Sequence, residues 1–311
     1  LPEMSTLVLL FLLFTVSLKD TSCSDWGYHA LDKPETWKGT CSSGKKQSPV
    51  DLEILESDKF TVEPLVLINY EKKVKTTFRN NGHTVVLTVD QQCDVGISSG
   101  DLRGLYLLDE LHFHWGSEHT IDNKRYALEL HLVHHKNNYP SKENALNYTQ
   151  GIAVLGVLFH ESEEDNPVLN QLVESLEKVV KTEMSTQLEK PFSPLQLLPE
   201  ERSHFFRYYG SLTTPPCSES VVWTVFKTSL PISKSQIKHF YNIDSAVGSL
   251  GHNFRKIQPL NERKVYFLCD EKTGLGSASS LISNNSTHLL FKMFVLIYYI
   301  SNQFGNKLYS F

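Results

Sequence analysis

Nothing in this chain is long and apolar enough to make an ordinary membrane span, and nothing in it is strongly basic. Its two apolar runs, Leu7–Val16 (broken by Thr15) and Leu289–Ile300 (broken by Lys292), fall short of the roughly 20 residues that a bilayer-crossing helix takes. Lys and Arg number 30 against 35 Asp and Glu, a formal net charge of -5. No positive field is therefore expected to draw in nucleic acid or an anionic lipid surface. Also missing between Asp25 and about Leu268 are long linkers, internal repeats and low-complexity stretches. Residues 25–270 thus read as one domain, in a chain of 311 residues with room for a deep core.

The two ends read differently from the middle. Leu7–Val16 follows Met4 and has the length of a signal-peptide core, although Glu3 is the only charge ahead of it. Ser22-Cys23-Ser24 resembles a small-residue cleavage site, so residues 1–24 are expected to be a signal peptide, with Leu1–Glu3 an artefact upstream of Met4. Cleavage there removes Cys23 and leaves Cys41, Cys93, Cys217 and Cys269, an even set with three connectivities, as suits an oxidising compartment. A secreted or extracellular glycoprotein is the expectation, with sequons at Asn147, Asn284 and Asn285. Residues 271–311 form a linker and tail. Small residues at 277–280, a polar spacer and the Leu289–Ile300 run resemble a lipid-anchor signal. The competing reading is a disordered or amphipathic tail, because Lys292 interrupts the run and a polar stretch follows it. Contact with a membrane is expected only through such an anchor.

In the middle, Thr84–Val89, Leu105–Trp115, Tyr126–His134, Ile152–Phe159 and Val221–Thr228 alternate or run apolar as strands do. A helix is expected from Asn166-Pro167, with Val168, Leu172, Leu176, Val179 and Val180 on one face. A shorter one starts at Ser233, where Gln236 completes a capping box. Strands dominate, which gives a mostly β (α+β) domain with peripheral helices.

The histidines carry the chemistry. His112 and His114, two apart on one strand, project to the same face. In Leu128–His134 the leucines alternate with Glu129, His131 and Val133, and the polar stretch Gly116–Arg125 is short enough to join two antiparallel strands. His112, His114 and His131 can then converge as three neutral nitrogen ligands of a catalytic zinc, leaving a fourth position for water. Glu110 and Glu129 each lie two residues before a ligand and on its face, placed to take the ligand's other N–H.

These residues resemble the alpha-type carbonic anhydrases, and the match runs from Trp26 to Phe267. Ser117-Glu118-His119, Tyr126 and Glu129-Leu130-His131-Leu132-Val133 carry it, with Trp26-Gly27-Tyr28, Gln47–Asp51, Asn81-Gly82-His83 and Ser211–Pro216. The resemblance implies a single domain around a large, mainly antiparallel twisted central sheet with the zinc site on its central strands. It implies reversible hydration of carbon dioxide to bicarbonate and a proton by attack of zinc-bound hydroxide, and hence a role in pH regulation. His112, His114 and His131 would hold Zn2+, with Glu110, Glu129 and Asn253 supporting them. Thr213 would orient the hydroxide and donate its own proton to Glu118. Val133, Val154, Leu212, Val221 and Trp223 would wall an apolar substrate pocket, with Thr213 and Thr214 on its polar side. His83 would shuttle the proton, with Tyr28 and Asn81 ordering water on the way. Cys41 and Cys217 match the family's extracellular disulfide. Inhibitory anions and sulfonamides are further expected ligands, and activated esters a side substrate.

The chain departs from the pattern at several places. Glu110 stands where active members commonly carry an amide, and a carboxylate there should bind the His112 N–H more strongly, push electron density toward zinc, raise the pKa of the bound water and retain metal more tightly. Val86 stands where a polar residue often orders pocket water, and Phe254-Arg255-Lys256 replaces Trp-Arg-Pro. His119 and His134 are expected to be hydrogen-bonded structural residues. The rival reading is a catalytically silent extracellular binding module of the same fold, or a scaffold that keeps hydration as part of its role.

Overall fold

A computed structural model of the chain describes residues 26–29, 32–90 and 93–270. The expected signal peptide, the tail with its sequons and the side chain of Cys269 lie outside them.

The principal strands are β1 (Asp58–Val62), β2 (Thr76–Asn80), β3 (Val85–Val89), β4 (Leu102–Trp115), β5 (Leu128–Lys136), β6 (Ile152–Ser162), β7 (His204–Gly210), β8 (Val221–Phe226) and β9 (Tyr266–Asp270). They join one 13-stranded sheet, running from the short strand Ser185–Gln187 through β2, β3, β4, β5, β6, β8, β7 and β9 to β1. Most neighbours are antiparallel; β6 with β8 and β9 with β1 are parallel. The sequence-derived strands all form, with ends displaced by a few residues.

The period of two sorts the side chains across this sheet. One row reads Leu87, Leu111, Leu132, Leu155 from β3 to β6, and all four leucines are fully buried. Each contributes about 2 kcal/mol of hydrophobic stabilisation. Helices α1 (Asn170–Leu176) and α2 (Lys234–Tyr241) add Leu172, Leu176, Ile237 and Phe240 to the same core cluster. The adjacent row, facing the other way, reads Val86, His112, His131, Gly156, Val225.

On β4 the pairing slips opposite Val133 and His134, which face Glu110 and Leu108. Asp109 is therefore an extra residue, a bulge that lets Leu108 and Leu111 both point inward. His112 and His114 then fall on the open face.

The first expected helix is shorter than its periodicity suggests. Asn166 caps a 3-10 turn, Pro167–Leu169, that leads into α1. Val168 is exposed and Leu169 takes its place in the core. A 3-10 turn advances faster per residue than an α-helix, so the helical-face count slips by one at its junction. At α2 the capping box of Ser233 and Gln236 forms as expected.

Candidate metal centre

β4 and β5 place His131 directly opposite His112. His131 Nδ1 lies 3.3 Å from His112 Nε2, and the three histidines offer ligand atoms all within 4.8 Å of one another. The outward nitrogens are engaged. His112 Nδ1 faces Glu110 Oε1 at 3.3 Å, His114 Nδ1 donates to the Asn253 carbonyl at 2.7 Å, and His131 Nε2 donates to Glu129 Oε1 at 2.8 Å. A neutral imidazole that donates one N–H presents a lone pair at its other nitrogen.

Three lone pairs therefore converge, an arrangement that repels itself unless a cation stands between them. Tetrahedral zinc with bonds of ~2.0–2.1 Å sets its ligand atoms about 3.3 Å apart, the separation found between His112 and His131. His114 Nε2 is buried without a hydrogen-bond partner. The donor set fits zinc with one position left for water. Burial lowers His114 well below the usual imidazole range, helped by the charges of His131 and His112. Burial also brings His131 down to about 4, against the pull of Glu129. Both rings are held neutral, as ligands must be.

Glu129 anchors the centre from behind. Its Oε1 also takes His119 Nδ1 at 2.7 Å, while Oε2 accepts the backbone N–H groups of Glu118 and His119, each at 2.8 Å. His119 Nε2 meets the Tyr208 hydroxyl at 2.7 Å, and that hydroxyl meets Ser48 Oγ at 2.8 Å. His119, Glu129 and His131 thus form a hydrogen-bonded chain whose shared oxygen is already in use. His134 is likewise structural, joined to Tyr70 at 2.6 Å and to the Ala153 carbonyl at 3.1 Å.

Glu118 is fully buried, with Oε1 accepting the Arg255 N–H at 2.8 Å and Oε2 3.4 Å from His114 Nε2. Burial pushes its carboxyl up to about 8, against hydrogen bonds from the Thr213 hydroxyl and the Arg255 backbone. A cation held between the three imidazoles would act in the opposite direction. Thr213 sits in the loop after β7, closed by Leu212 N–H to Ser218 at 3.0 Å and Cys217 N–H to Thr214 at 2.8 Å. The Cys41–Cys217 disulfide ties this loop to the N-terminal region, while Cys93 keeps a free thiol.

Val133, Val154, Val221 and Trp223 are buried in one cluster with Leu212 packed against it. Trp223 stands edge-on to His131 with centroids 4.8 Å apart, so this apolar wall adjoins the ligands. Thr214 is half-buried beside Thr213.

His83 follows a turn in which Gly82 adopts φ +84°, a region costly for any residue with a Cβ. Asn81 Oδ1 closes this turn, accepting from the N–H groups of His83 at 3.0 Å and Thr84 at 2.9 Å. What Asn81 still offers to water is its NH2 group. The His83 ring stacks on Trp26 at 3.8 Å, and Tyr28 packs edge-on to Trp26 and Trp37. Burial lowers the His83 pKa, against the charge of Asp32.

Asn253 supports His114 through its backbone carbonyl, not its side chain. The carboxamide instead accepts from Trp115 N–H at 2.9 Å and donates to the carbonyls of Phe113 at 2.9 Å and His83 at 3.1 Å. Asn147 is exposed, as a sequon requires.

Four contributors were assigned no role from the sequence. Arg255, almost fully buried, donates to Gln47 Oε1, Ser48 O and Cys41 O besides holding Glu118. Tyr208 and Ser48 extend the Glu129 chain. Lys142 Nζ donates to Glu110 Oε2 at 2.6 Å. Burial pushes the Glu110 carboxyl up, but His112 and Lys142 together outweigh it and bring the carboxyl down to about 2.

Residues 32–269 match the family model of eukaryotic-type carbonic anhydrases. Carbonic anhydrase 7 of Mus musculus is 37% identical, over 77% of this chain and 96% of its own length. Carbonic anhydrase 15 of Mus musculus is 33% identical over 83% and 87%. Carbonic anhydrase 4 of Rattus norvegicus is 34% identical over 84% and 90%.

Proposed function

The chain belongs to the eukaryotic-type carbonic anhydrase family, and we propose that His112, His114 and His131 hold zinc and that the protein hydrates carbon dioxide to bicarbonate. The observation that carries the proposal is the approach of His131 Nδ1 to His112 Nε2 at 3.3 Å, with the other nitrogen of each ring turned to a carboxylate, beside an apolar wall and the buried neighbours Thr213 and Glu118. When bound, zinc supplies Lewis-acid chemistry, acidifying a coordinated water from a pKa of ~16 to ~7, as in carbonic anhydrase.

The chain's own groups do the rest. Thr213 has one hydroxyl proton; given to the neighbouring Glu118, whose Oε2 is buried without another hydrogen-bond partner, it leaves the Thr213 oxygen to accept a hydrogen bond from the nucleophile and orient it. The Arg255 N–H holds the other oxygen of Glu118, and a cation at the centre would oppose the burial that raises its carboxyl, so that it accepts and does not donate. Val133, Val154, Val221, Trp223 and Leu212 receive a nonpolar, uncharged substrate, while the Thr213–Thr214 side suits the charged product. His83, with an imidazole pKa lowered toward the acid side, accepts the proton through water held near Tyr28 and Asn81 and releases it to buffer.

We further propose secretion to an oxidising compartment. The Cys41–Cys217 disulfide supports it, and the exposed Asn147 is then open to glycosylation. No helix among the described residues is long and apolar enough to cross a membrane; a lipid anchor in the 271–311 tail remains part of the proposal.

Zinc content by atomic spectroscopy, with stopped-flow hydration of carbon dioxide, tests the reading. One zinc per chain and rapid hydration are expected. A zinc-loaded protein without hydration would assign the chain to the silent binding class instead.

A further inference from the structure

Among the described residues two carboxylates stand directly behind proposed ligands, and Glu110, unlike the fully buried Glu129, is partly exposed. Its Oε1 faces His112 Nδ1 at 3.3 Å, and its Oε2 receives Lys142 Nζ at 2.6 Å. Lys142 does not come from the sheet. It opens the single helical turn Lys142–Ala145 in the connection from β5 to β6, and Ser141 caps that turn by accepting from Asn144 N–H at 3.3 Å. A segment outside the metal-bearing strands is therefore folded so that its ammonium reaches the carboxylate behind His112.

A histidine that ligates a metal is neutral, so in the loaded site it brings no positive charge to Glu110. Among the described residues Lys142 is then the carboxylate's only cationic partner within ion-pair distance. The other charged neighbours do not substitute for it. Asp109 is engaged with His135 at 2.9 Å, and Glu143 adds negative charge. The side chains of His112, Glu110 and Lys142 are 17%, 23% and 27% exposed, shielded enough that solvent does not erase their coupling.

We infer that Lys142 is a positioning residue that holds Glu110 against His112 and cancels its charge, so that the pair presents His112 with an acceptor as neutral as an amide. This rests on the zinc reading above, and it amends the expectation that Glu110 pushes charge toward the metal. The carboxylate takes the place of an amide, and Lys142 takes back the difference.

The test reads charge at the metal without reading catalysis. The dissociation constant of thiocyanate is measured on the zinc-loaded protein by displacement of a fluorescent aromatic sulfonamide, dansylamide, at fixed pH and low ionic strength. Lys142→Met leaves Glu110 unbalanced, so thiocyanate is expected to bind about three- to tenfold more weakly. Lys142→Arg restores the wild-type constant. The double variant Lys142→Met/Glu110→Gln, which removes both charges, returns to within about twofold of wild type. Wild-type affinity in Lys142→Met overturns the inference. So does a double variant as weak as Lys142→Met, because a merely structural role would persist when Glu110 is neutral. A wild-type protein that binds neither zinc nor dansylamide overturns the zinc reading and this inference together.

Discussion

Asn253→Ala is the substitution that separates support of the centre from the centre itself. Asn253 is fully buried and touches no reacting group; its carboxamide joins the N–H of Trp115 to the carbonyls of Phe113 and His83. Truncation removes three hydrogen bonds. The Trp115 N–H loses its side-chain acceptor inside the protein, which costs about 1–3 kcal/mol. The Phe113 carbonyl keeps the Thr84 hydroxyl, and water can enter beside His83, which is half-buried. The total is about 2–4 kcal/mol, or a fall in Tm of about 5–10 °C for a domain of this size.

The backbone carbonyl that receives His114 Nδ1 survives the change, as does the Trp115 indole N–H to the Gly251 carbonyl, but the segment bearing it is tied to β4 less firmly. Zinc release should therefore quicken about tenfold. Asn253→Asp keeps the shape and the Trp115 bond, yet turns lone pairs toward the two carbonyls. It should destabilise at least as much as alanine. Circular-dichroism melts of the metal-free proteins and zinc transfer to a chromophoric chelator supply both readouts. A melt of Asn253→Ala within 1 °C of wild type, or an Asn253→Asp protein as stable as wild type, would refute the reasoning.

Other consequences follow from the same geometry. Thr213→Ala removes the group that orients the nucleophile and should lower hydration about 100-fold, with zinc content unchanged; loss of zinc instead would point to a structural role. His83→Ala should slow turnover about tenfold or more in weak buffer and recover with added imidazole, and absence of rescue would remove His83 from the proton path. Because His83 accepts the proton only when neutral and burial lowers its pKa, the acid limb of wild-type turnover in weak buffer should have its midpoint below ~6.5; a midpoint above that value contradicts the assignment. Reduction of Cys41–Cys217, which closes a separation of 176 residues, should cost about 3–5 kcal/mol. Activity should fall before the fold does as the Thr213 loop loosens, and equal activity in the reduced and oxidised forms would count against the bracing role.

The three converging histidines were legible because a strand writes its faces into the sequence. His112 and His114 share a parity, and the leucines of Leu128–Leu132 assign His131 to the opposite side from the core. What stayed hidden depends on backbone groups and on long separations. His114 is held by a carbonyl at residue 253, and any side chain there would present the same oxygen. Glu118 is held by the N–H of Arg255, equally anonymous. Lys142 meets Glu110 across 32 residues, and nothing in either local pattern marks the pairing. The Asp109 bulge was invisible for another reason: Leu105–Trp115 is apolar enough to read as one continuous strand, although its inward parity changes partway along.

The same distinction explains why the proposed centre lies on strands while the chemistry proposed for it depends on loops. Across the sheet, His112, His131 and Gly156 stand in one row, and a Cβ at position 156 would come within 3.3 Å of Glu129 Oε1 and 3.2 Å of Val225. The missing side chain makes room for the carboxylate that fixes both His131 and His119. Ligand geometry is thus set by register, which a one-residue slip would invert completely. Thr213, His83 and Lys142 come from outside the two ligand strands, and each is pinned by a local device: a disulfide, a glycine turn, a capped helical turn. Substitutions there can retune orientation, proton transfer or charge while the three imidazoles keep their places, whereas a change at Gly156 or Glu129 disturbs the centre itself.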